Sequence, residues 1–365
     1  MSTALERFGY ETMLVRGVEG PREGSMDDLA RELGVAPVRI GALRRELGPH
    51  DARATLELVR QIRRFRPRVL HTHAAKAGTV GRVAAMMSGR AAPAVRVHTF
   101  HGHVLAGYFS PTKARFFAQV ERGLARTTDK LVAVSDEVRD DLVRLRIAPH
   151  SAIEVVPLGF DLEAFAPESE TPDRERARVR SELGISEDER VVTLVARLVP
   201  IKRVDRFLEV ANRLADVADL RLVVVGDGEL ADQLHHSPMA ARLSDRLVWA
   251  GMRRDMPAVM AASEVVCLTS DNEGTPVSLI EAQAAARPVV STRVGGVESV
   301  VEHGVSGYLV DRDAVQEFAD CVKTLLDQTE LADDFAAAGR ARVLERFSRD
   351  RLASDLDRLY RELLM

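Results

Sequence analysis

Along the chain, short apolar runs alternate with longer stretches in which apolar residues recur at helical spacing. In the first half, YETMLV, PVRIGAL, RVLHTH, AVRVHTF and KLVAVS predict strands, and the segments near 51–65, 77–88, 111–127 and 136–146 predict the helices between them. Short strands separated by amphipathic helices make a parallel sheet covered on both faces. The second half repeats the pattern with RVVTLVARL, LRLVVVGDG, DRLVWAGM, EVVCLTS and RPVVSTRV, each followed by a turn signal and a helical segment. Between the two series lies APESETPDRERARVRSE, polar, proline-bearing and without apolar periodicity until Leu183, which reads as a domain boundary. The last segment, FSRDRLASDLDRLYRELL, sets Leu352, Leu356, Leu359 and Leu363 at helical spacing and predicts a closing helix. The expected architecture is α/β, with two Rossmann-like domains over 1–165 and 166–346, a cleft between them, and a closing helix over 347–365.

One element is missing from this pattern. A Rossmann-like domain opens with an apolar strand and a glycine-rich turn into its first helix. Here Met1 begins in what reads as the end of that helix. The N-terminal domain is therefore expected to lack its first strand, and the natural protein is expected to start upstream. The alternative is a truncated chain that binds its ligand without doing chemistry.

Composition narrows the class. At 365 residues the chain exceeds the roughly 250 residues that one core supports, which agrees with two domains. Hydrophobic residues at 46% and charged residues at 29% exclude a disordered chain. The two cysteines, Cys267 in VVCLT and Cys321 in a helical stretch, support neither a disulfide framework nor a thiolate metal site, and fit a cytoplasmic protein. No run reaches the roughly 20 apolar residues of a membrane span, and MSTALERFGYE lacks a secretory apolar region. The net charge of −4 conceals an asymmetry. Residues 1–160 carry 25 Lys+Arg against 17 Asp+Glu, and the remainder carries 26 against 38. In RQIRRFRPR, Arg60, Arg63, Arg64, Arg66 and Arg68 end a predicted helix. They are a candidate contact for anionic lipid headgroups, against the plainer reading of a solvated helix end.

Ligands of open α/β sheets bind beyond the carboxyl ends of the strands, so the residues just after each strand matter most. Glu273 follows EVVCLTS, and Glu281 stands two turns into the next helix, in EGTPVSLIE. Pro276 suits a first helical turn, and the free amides of Gly274, Thr275 and Val277 would face a ligand with the positive end of the helix dipole behind them. Arg197 and Lys202 follow the first strand of the second domain in VARLVPIKRVDRF. Fixed cations there suit a diphosphate and would stabilise the charge left on it when a bond to it breaks. Gly226 and Gly228 after LRLVVV, and Gly295 and Gly296 before Glu298, let backbone approach a ligand. The first half holds five histidines, with His71 and His73 ending one predicted strand and His98, His101 and His103 at the end of the next. Their spacing fits no closed zinc pattern, so no metal is expected. His101 is the candidate for touching substrate, while His71, His73 and His98 read as half-buried structural histidines. No phosphate-binding P-loop, nucleophile elbow, metalloprotease helix or nucleic-acid motif is present.

These motifs resemble the retaining family 4 glycosyltransferases of GT-B architecture. The likeness runs from RFGYETMLV to the closing helix. EGTPVSLIE resembles the family's E-x7-E motif, and VARLVPIKRVDRF, VVVGDGEL and RPVVSTRVGGVESVVEHGVSGYLV follow in the family's order. The resemblance implies that Glu273 contacts the donor sugar, that Glu281 holds the ribose hydroxyls, and that Arg197 and Lys202 grip the diphosphate. It implies that His101, in TFHGH, reaches the donor sugar from the first domain, where the acceptor also lies, and that the closing helix crosses back onto that domain. No metal or other cofactor is needed, and the anomeric configuration is kept. Arg203 departs from the family in replacing a glycine after the phosphate lysine, a change expected to alter local packing.

The expected function is transfer of a hexose or N-acetylhexosamine from a nucleotide-diphosphate sugar, with uridine as base, to a saccharide or lipid-linked acceptor in surface-polysaccharide or glycolipid assembly. The expected place is the cytoplasm or the inner face of the cell membrane, with no nucleic-acid partner. A sugar-nucleotide 2-epimerase of the same fold is an alternative enzyme, against which the E-x7-E pair argues. A non-catalytic nucleotide-sugar binder is the alternative outside enzymes.

Overall fold

A computed structural model describes residues 1–18, 27–44, 48–101, 111–166 and 171–365. The chain divides into two compact units, Met1–Gly159 with Arg349–Met365, and Phe160–Ser348. The division precedes the expected 165/166 boundary because Phe160 belongs to the second unit. Its backbone N–H donates to the Phe347 carbonyl at 2.8 Å, and Phe160, Leu162 and Phe165 pack into one apolar cluster with Leu279, Ile280 and Val343.

The first unit holds β1 (Val15–Arg16), β2 (Val38–Arg39), β3 (Val69–His73), β4 (Val95–Phe100), β5 (Lys130–Ala133) and β6 (Ile153–Val155). β3-β4-β5-β6 form a parallel sheet, and β1 and β2 form a separate parallel pair. Helices His50–Phe65 and Ala75–Met87 pack together through Ala54, Leu58, Ile62, Val80 and Ala84. The closing helix, Arg349–Leu364, lays Leu356, Leu359 and Tyr360 on Val95, Val97 and Val132 of the sheet. Its apolar stripe is what the leucine spacing predicts.

The second unit holds β7 (Arg190–Val195), β8 (Leu220–Val225), β9 (Leu247–Gly251), β10 (Val265–Leu268), β11 (Val289–Thr292) and β12 (Tyr308–Val310). They form one parallel sheet in the order β12-β11-β10-β7-β8-β9. β10 is buried at every position, as expected of a central strand covered on both faces. The order reverses between β7 and β10, so the crevice beyond their carboxyl ends is the topological switch point at which such sheets bind ligands. In this sheet β7 stands between β8 and β10. Among the described residues no strand of the first unit takes the equivalent place, because β1-β2 and β3-β6 pair only among themselves.

The polar segment read as a boundary is in part a helix, Thr171–Glu182. Val179 and Arg180 are both fully buried on it. Arg180 donates to both oxygens of Glu264 at 2.8 Å and to the carbonyls of Ser186 and Glu189. A buried guanidinium is tolerated when its donors are met in this bidentate way. An apolar periodicity search misses such a helix because its packing face carries an arginine.

Candidate functional site

Glu273 and Lys202 come from the loops after β10 and β7, the two strands at the switch point. Lys202 ends a short 3-10 turn, Pro200–Lys202, and its Nζ donates to Glu273 Oε1 at 2.6 Å. Ser270 Oγ donates to the same oxygen at 2.5 Å. Both bonds fall on Oε1, so Oε2 takes none from the described residues, although Glu273 is only 7% exposed. A buried carboxylate with one unused oxygen is an acceptor for a ligand hydroxyl.

The two loops are laced together. Asp271 N–H donates to the Ile201 carbonyl at 2.8 Å, and Thr269 Oγ1 donates to the Arg203 carbonyl at 3.0 Å. Arg206 and Arg203 both bind the Asp271 carboxylate, at 2.8 and 3.2 Å. These pairs hold the Asp271 carboxyl below its usual range, against burial, which acts the other way. Arg203 itself is left-handed, φ 49° and ψ 49°, which explains why a glycine fits this position. The arginine meets the cost with bonds to Asp205 as well as Asp271.

Arg197 stands two residues past the end of β7 and is exposed, and its side chain makes no hydrogen bond or ion pair to a described residue. Its backbone neighbours are clamped by the Gly226-Asp227-Gly228 turn after β8. Leu198 N–H donates to the Asp227 carbonyl at 3.0 Å, and Leu230 N–H donates to the Leu198 carbonyl at 2.9 Å. Gly226 has φ 135°, and a Cβ there would stand 1.9 Å from the Ala196 carbonyl oxygen, so only glycine fits. Gly295 plays the matching part opposite Glu273, where a Cβ would meet the Glu273 carbonyl oxygen at 2.1 Å.

Beyond Glu273 the chain enters helix Val277–Ala284, with Pro276 at the N-cap rather than inside the first turn. The N–H groups of Gly274, Thr275 and Val277 have no acceptor among the described residues, and the Thr275 hydroxyl is buried without a partner among them. Glu281, one turn along, receives no hydrogen bond to its carboxyl from a described residue. Burial alone pushes its carboxyl up to about 7. Unpaired donors and an unpaired, perturbed acid on one helix start describe a place for a polar ligand. Glu298, by contrast, is exposed and pairs with Arg293 at 2.7 Å.

The histidines of the first unit separate into two kinds. His71 is fully engaged, its Nδ1 with Tyr360 Oη at 2.5 Å and its Nε2 with Thr99 Oγ1 at 2.6 Å. His98 Nδ1 meets Thr72 Oγ1 at 2.9 Å, and burial lowers its pKa to about 2. His73 Nδ1 lies 2.9 Å from His101 Nε2. His101 is exposed, and His103 lies outside the described residues. No group of three or more His, Cys, Asp or Glu among the described residues is arranged to hold a metal ion.

Sequence reasoning missed Ser270, the Arg203–Asp271–Arg206 lacing and Tyr360. Ser270 and Asp271 carry a turn signal in SDNEG, but nothing in that composition says which carboxylate they support. Tyr360 stands in the apolar stripe of the closing helix, and only the packing of that helix reveals the partner of its hydroxyl.

Comparison with known proteins bears on the family and the fold. Residues 1–164 match the family model "Glycosyltransferase Family 4", and residues 175–342 match "Glycosyl transferases group 1". Among characterised relatives, the UDP-Gal:alpha-D-GlcNAc-diphosphoundecaprenol alpha-1,3-galactosyltransferase of Escherichia coli is 28% identical over 88% of this chain and 81% of its own. A D-inositol 3-phosphate glycosyltransferase of Salinispora arenicola is 32% identical over 80% of this chain and 68% of its own. Of solved structures, Anabaena Alr3699/HepE in complex with UDP superposes with a TM-score of 0.80 at 22% identity, over 95% of this chain and 92% of its own. A glycosyltransferase from Rickettsia africae does so with a TM-score of 0.82 at 18% identity, over 100% of this chain and 93% of its own. With its two parallel-sheet units and its motifs in family order, the chain belongs to the family 4 glycosyltransferases of GT-B architecture.

Proposed function

We propose that the protein is a retaining hexosyltransferase that moves a hexose or N-acetylhexosamine from a UDP-sugar to an acceptor in surface-polysaccharide or glycolipid assembly. The observation that carries this reading is Lys202 on Glu273 at the switch point, beside a helix start whose amides are unpaired. A diphosphate brings negative charge to Arg197, Lys202 and those amides, so the counter-charge is supplied by fixed cations and no metal or other cofactor is required. Glu273 Oε2 then accepts from a hydroxyl of the sugar, and Glu281 accepts from the ribose hydroxyls.

In the proposed step the bond between the anomeric carbon and the diphosphate oxygen breaks, and the departing phosphate takes the proton of the attacking acceptor hydroxyl on the same face. The sugar keeps its anomeric configuration. Uridine as the base is supported by the Escherichia coli relative, whose name specifies UDP-Gal, and by the UDP bound in Anabaena Alr3699/HepE.

A lipid-linked acceptor at the inner membrane face is supported by that same relative, which acts on a diphosphoundecaprenol-linked sugar. It is also supported by exposed side chains of the first unit. Arg60, Arg63, Arg64, Arg66 and Arg68 are all exposed, and Met86 and Met87, at the end of the neighbouring helix, are 44% and 49% exposed. Cations around exposed apolar side chains match an anionic bilayer surface. No described helix is long and apolar enough to cross a membrane.

The test is incubation with UDP-glucose, UDP-galactose and UDP-N-acetylglucosamine, with and without a polyprenyl-diphosphate-linked sugar, followed by NMR of the products. The reading predicts acceptor-dependent UDP release and an α-anomer in the product. An inverted anomer, or an epimerised sugar nucleotide formed without acceptor, contradicts it.

A further inference from the structure

We propose that His73 is a positioning residue that holds His101 in the tautomer with its proton on Nδ1, so that His101 offers an N–H to an oxygen of a sugar ligand beyond the carboxyl end of β4. The inference rests on the proposed function for the identity of that oxygen, and on the geometry of the first unit for the tautomer.

His73 Nδ1 and His101 Nε2 are 2.9 Å apart, a hydrogen-bond distance that a single proton must bridge. Two arrangements satisfy it. If His101 Nε2 donates, the His73 proton must sit on Nε2. That atom is buried and has no partner among the described residues, so an N–H would be left without an acceptor, the rarer and costlier kind of orphan. If His73 Nδ1 donates, the buried Nε2 is a bare lone pair and no donor is stranded. The second arrangement is favoured, and it makes His101 Nε2 the acceptor. A neutral His101 then carries its proton on Nδ1.

The surroundings leave His73 few other choices. Its ring stacks on that of His71, with centroids 4.4 Å apart and planes 26° from parallel. Both nitrogens of His71 are already taken, by Tyr360 and Thr99, so His71 orients the ring without competing for its proton. A doubly protonated His73 is disfavoured at neutral pH, since burial and the neighbouring His101 lower its pKa to about 4. Desolvation lowers His101 too. Lowered pKa values favour the neutral form of both rings, and with His101 Nε2 accepting from His73 the nitrogen left for a ligand is the Nδ1–H donor. β3 and β4 run in parallel register with Thr72 opposite His98 and His73 opposite Thr99, which brings the ends of HTH and HTFH side by side.

The test is 15N NMR of the protein labelled with [15N]histidine, with His101 assigned by its loss in His101→Ala. The expected result in the parent protein is a protonated Nδ1 and a bare Nε2 on His101. An Nε2–H tautomer, or an even mixture, overturns the proposal, and this measurement needs no variant at position 73. In His73→Asn the amide can donate from the same direction, and the tautomer is retained. In His73→Asp the carboxylate can only accept, and the His101 proton moves to Nε2. An unchanged tautomer in His73→Asp also overturns the proposal.

Calorimetry with UDP and UDP-glucose as probes supplies the second readout. His73→Asp should shrink the preference for UDP-glucose over UDP by about fivefold, with UDP affinity unchanged and His73→Asn close to the parent. An unchanged preference in His73→Asp overturns the link to the sugar. If the parent binds no UDP-sugar, the sugar-directed half falls together with the proposed function, and the NMR result still decides the tautomer.

Discussion

Glu273 and Glu281 stand eight positions apart in sequence and in contrasting surroundings. Glu273 has Lys202 at 2.6 Å, whereas Glu281 has no described partner and a carboxyl pushed up to about 7 by burial. Folding thus raises Glu281 above its unfolded value of 4.5. The fold favours the protonated acid over its ionised form, so this group's contribution to folding is fully present below pH 4.5. That contribution is lost as pH rises toward 7 and levels off above it. Glu281→Gln has no proton to lose. Thermal melts without ligand should therefore show the variant gaining on the parent from pH 5 to pH 8, and a constant difference would contradict the assignment. At Lys202 the expectation concerns binding. Lys202→Met should weaken UDP by about ten- to hundredfold, the value of a charge-assisted hydrogen bond, as read by calorimetry. The eight-residue spacing was legible in the sequence. The unequal environments of the two acids were not, because they depend on which side chains the loop after β7 brings across.

The loop after β7 carries the turn Pro200–Lys202 and the left-handed Arg203. Replacing Arg203 by glycine removes a backbone cost of about 1 kcal/mol and loses partly exposed pairs to Asp205 and Asp271, each contributing about 0.2–1 kcal/mol. Urea denaturation of Arg203→Gly should therefore find stability within about 1 kcal/mol of the parent. A loss several times larger would mean that the lacing to Asp271 does more than offset strain. Strands such as β7, β8 and β10 were legible because unbroken valine and leucine runs end in turn residues, and the closing helix because its leucines keep register. Helix Thr171–Glu182 was not, since its buried face is completed by Arg180 and Glu264, a pairing between residues 84 positions apart. The three-residue strands β6 and β12 are too short for periodicity to register.

Over the whole molecule, charge separates as the sequence indicates, with the basic excess in residues 1–160 and the acidic excess in the rest. The arginines at the end of helix His50–Phe65 are exposed, as are Met86 and Met87, and Arg63 donates to the Met87 carbonyl at 3.3 Å. Near an anionic surface each contributes about 1 kcal/mol. Co-sedimentation should show binding to anionic but not neutral vesicles, weakening as salt rises, and at least tenfold weaker for Arg63→Glu with Arg64→Glu. Equal binding to both vesicle types would contradict a membrane-facing role. The two-domain architecture was legible from the repeated strand–helix pattern, and the switch point followed once strand order was known. The central claim is that Lys202, Glu273, Glu281 and the unpaired amides between the two acids form a nucleotide-diphosphate-sugar site. Calorimetric titration of UDP into the parent and into Glu281→Ala tests it most directly. The predicted result is saturable one-to-one binding by the parent and an affinity about tenfold or more lower in the variant. No binding by the parent, or equal affinity in the two proteins, would contradict it.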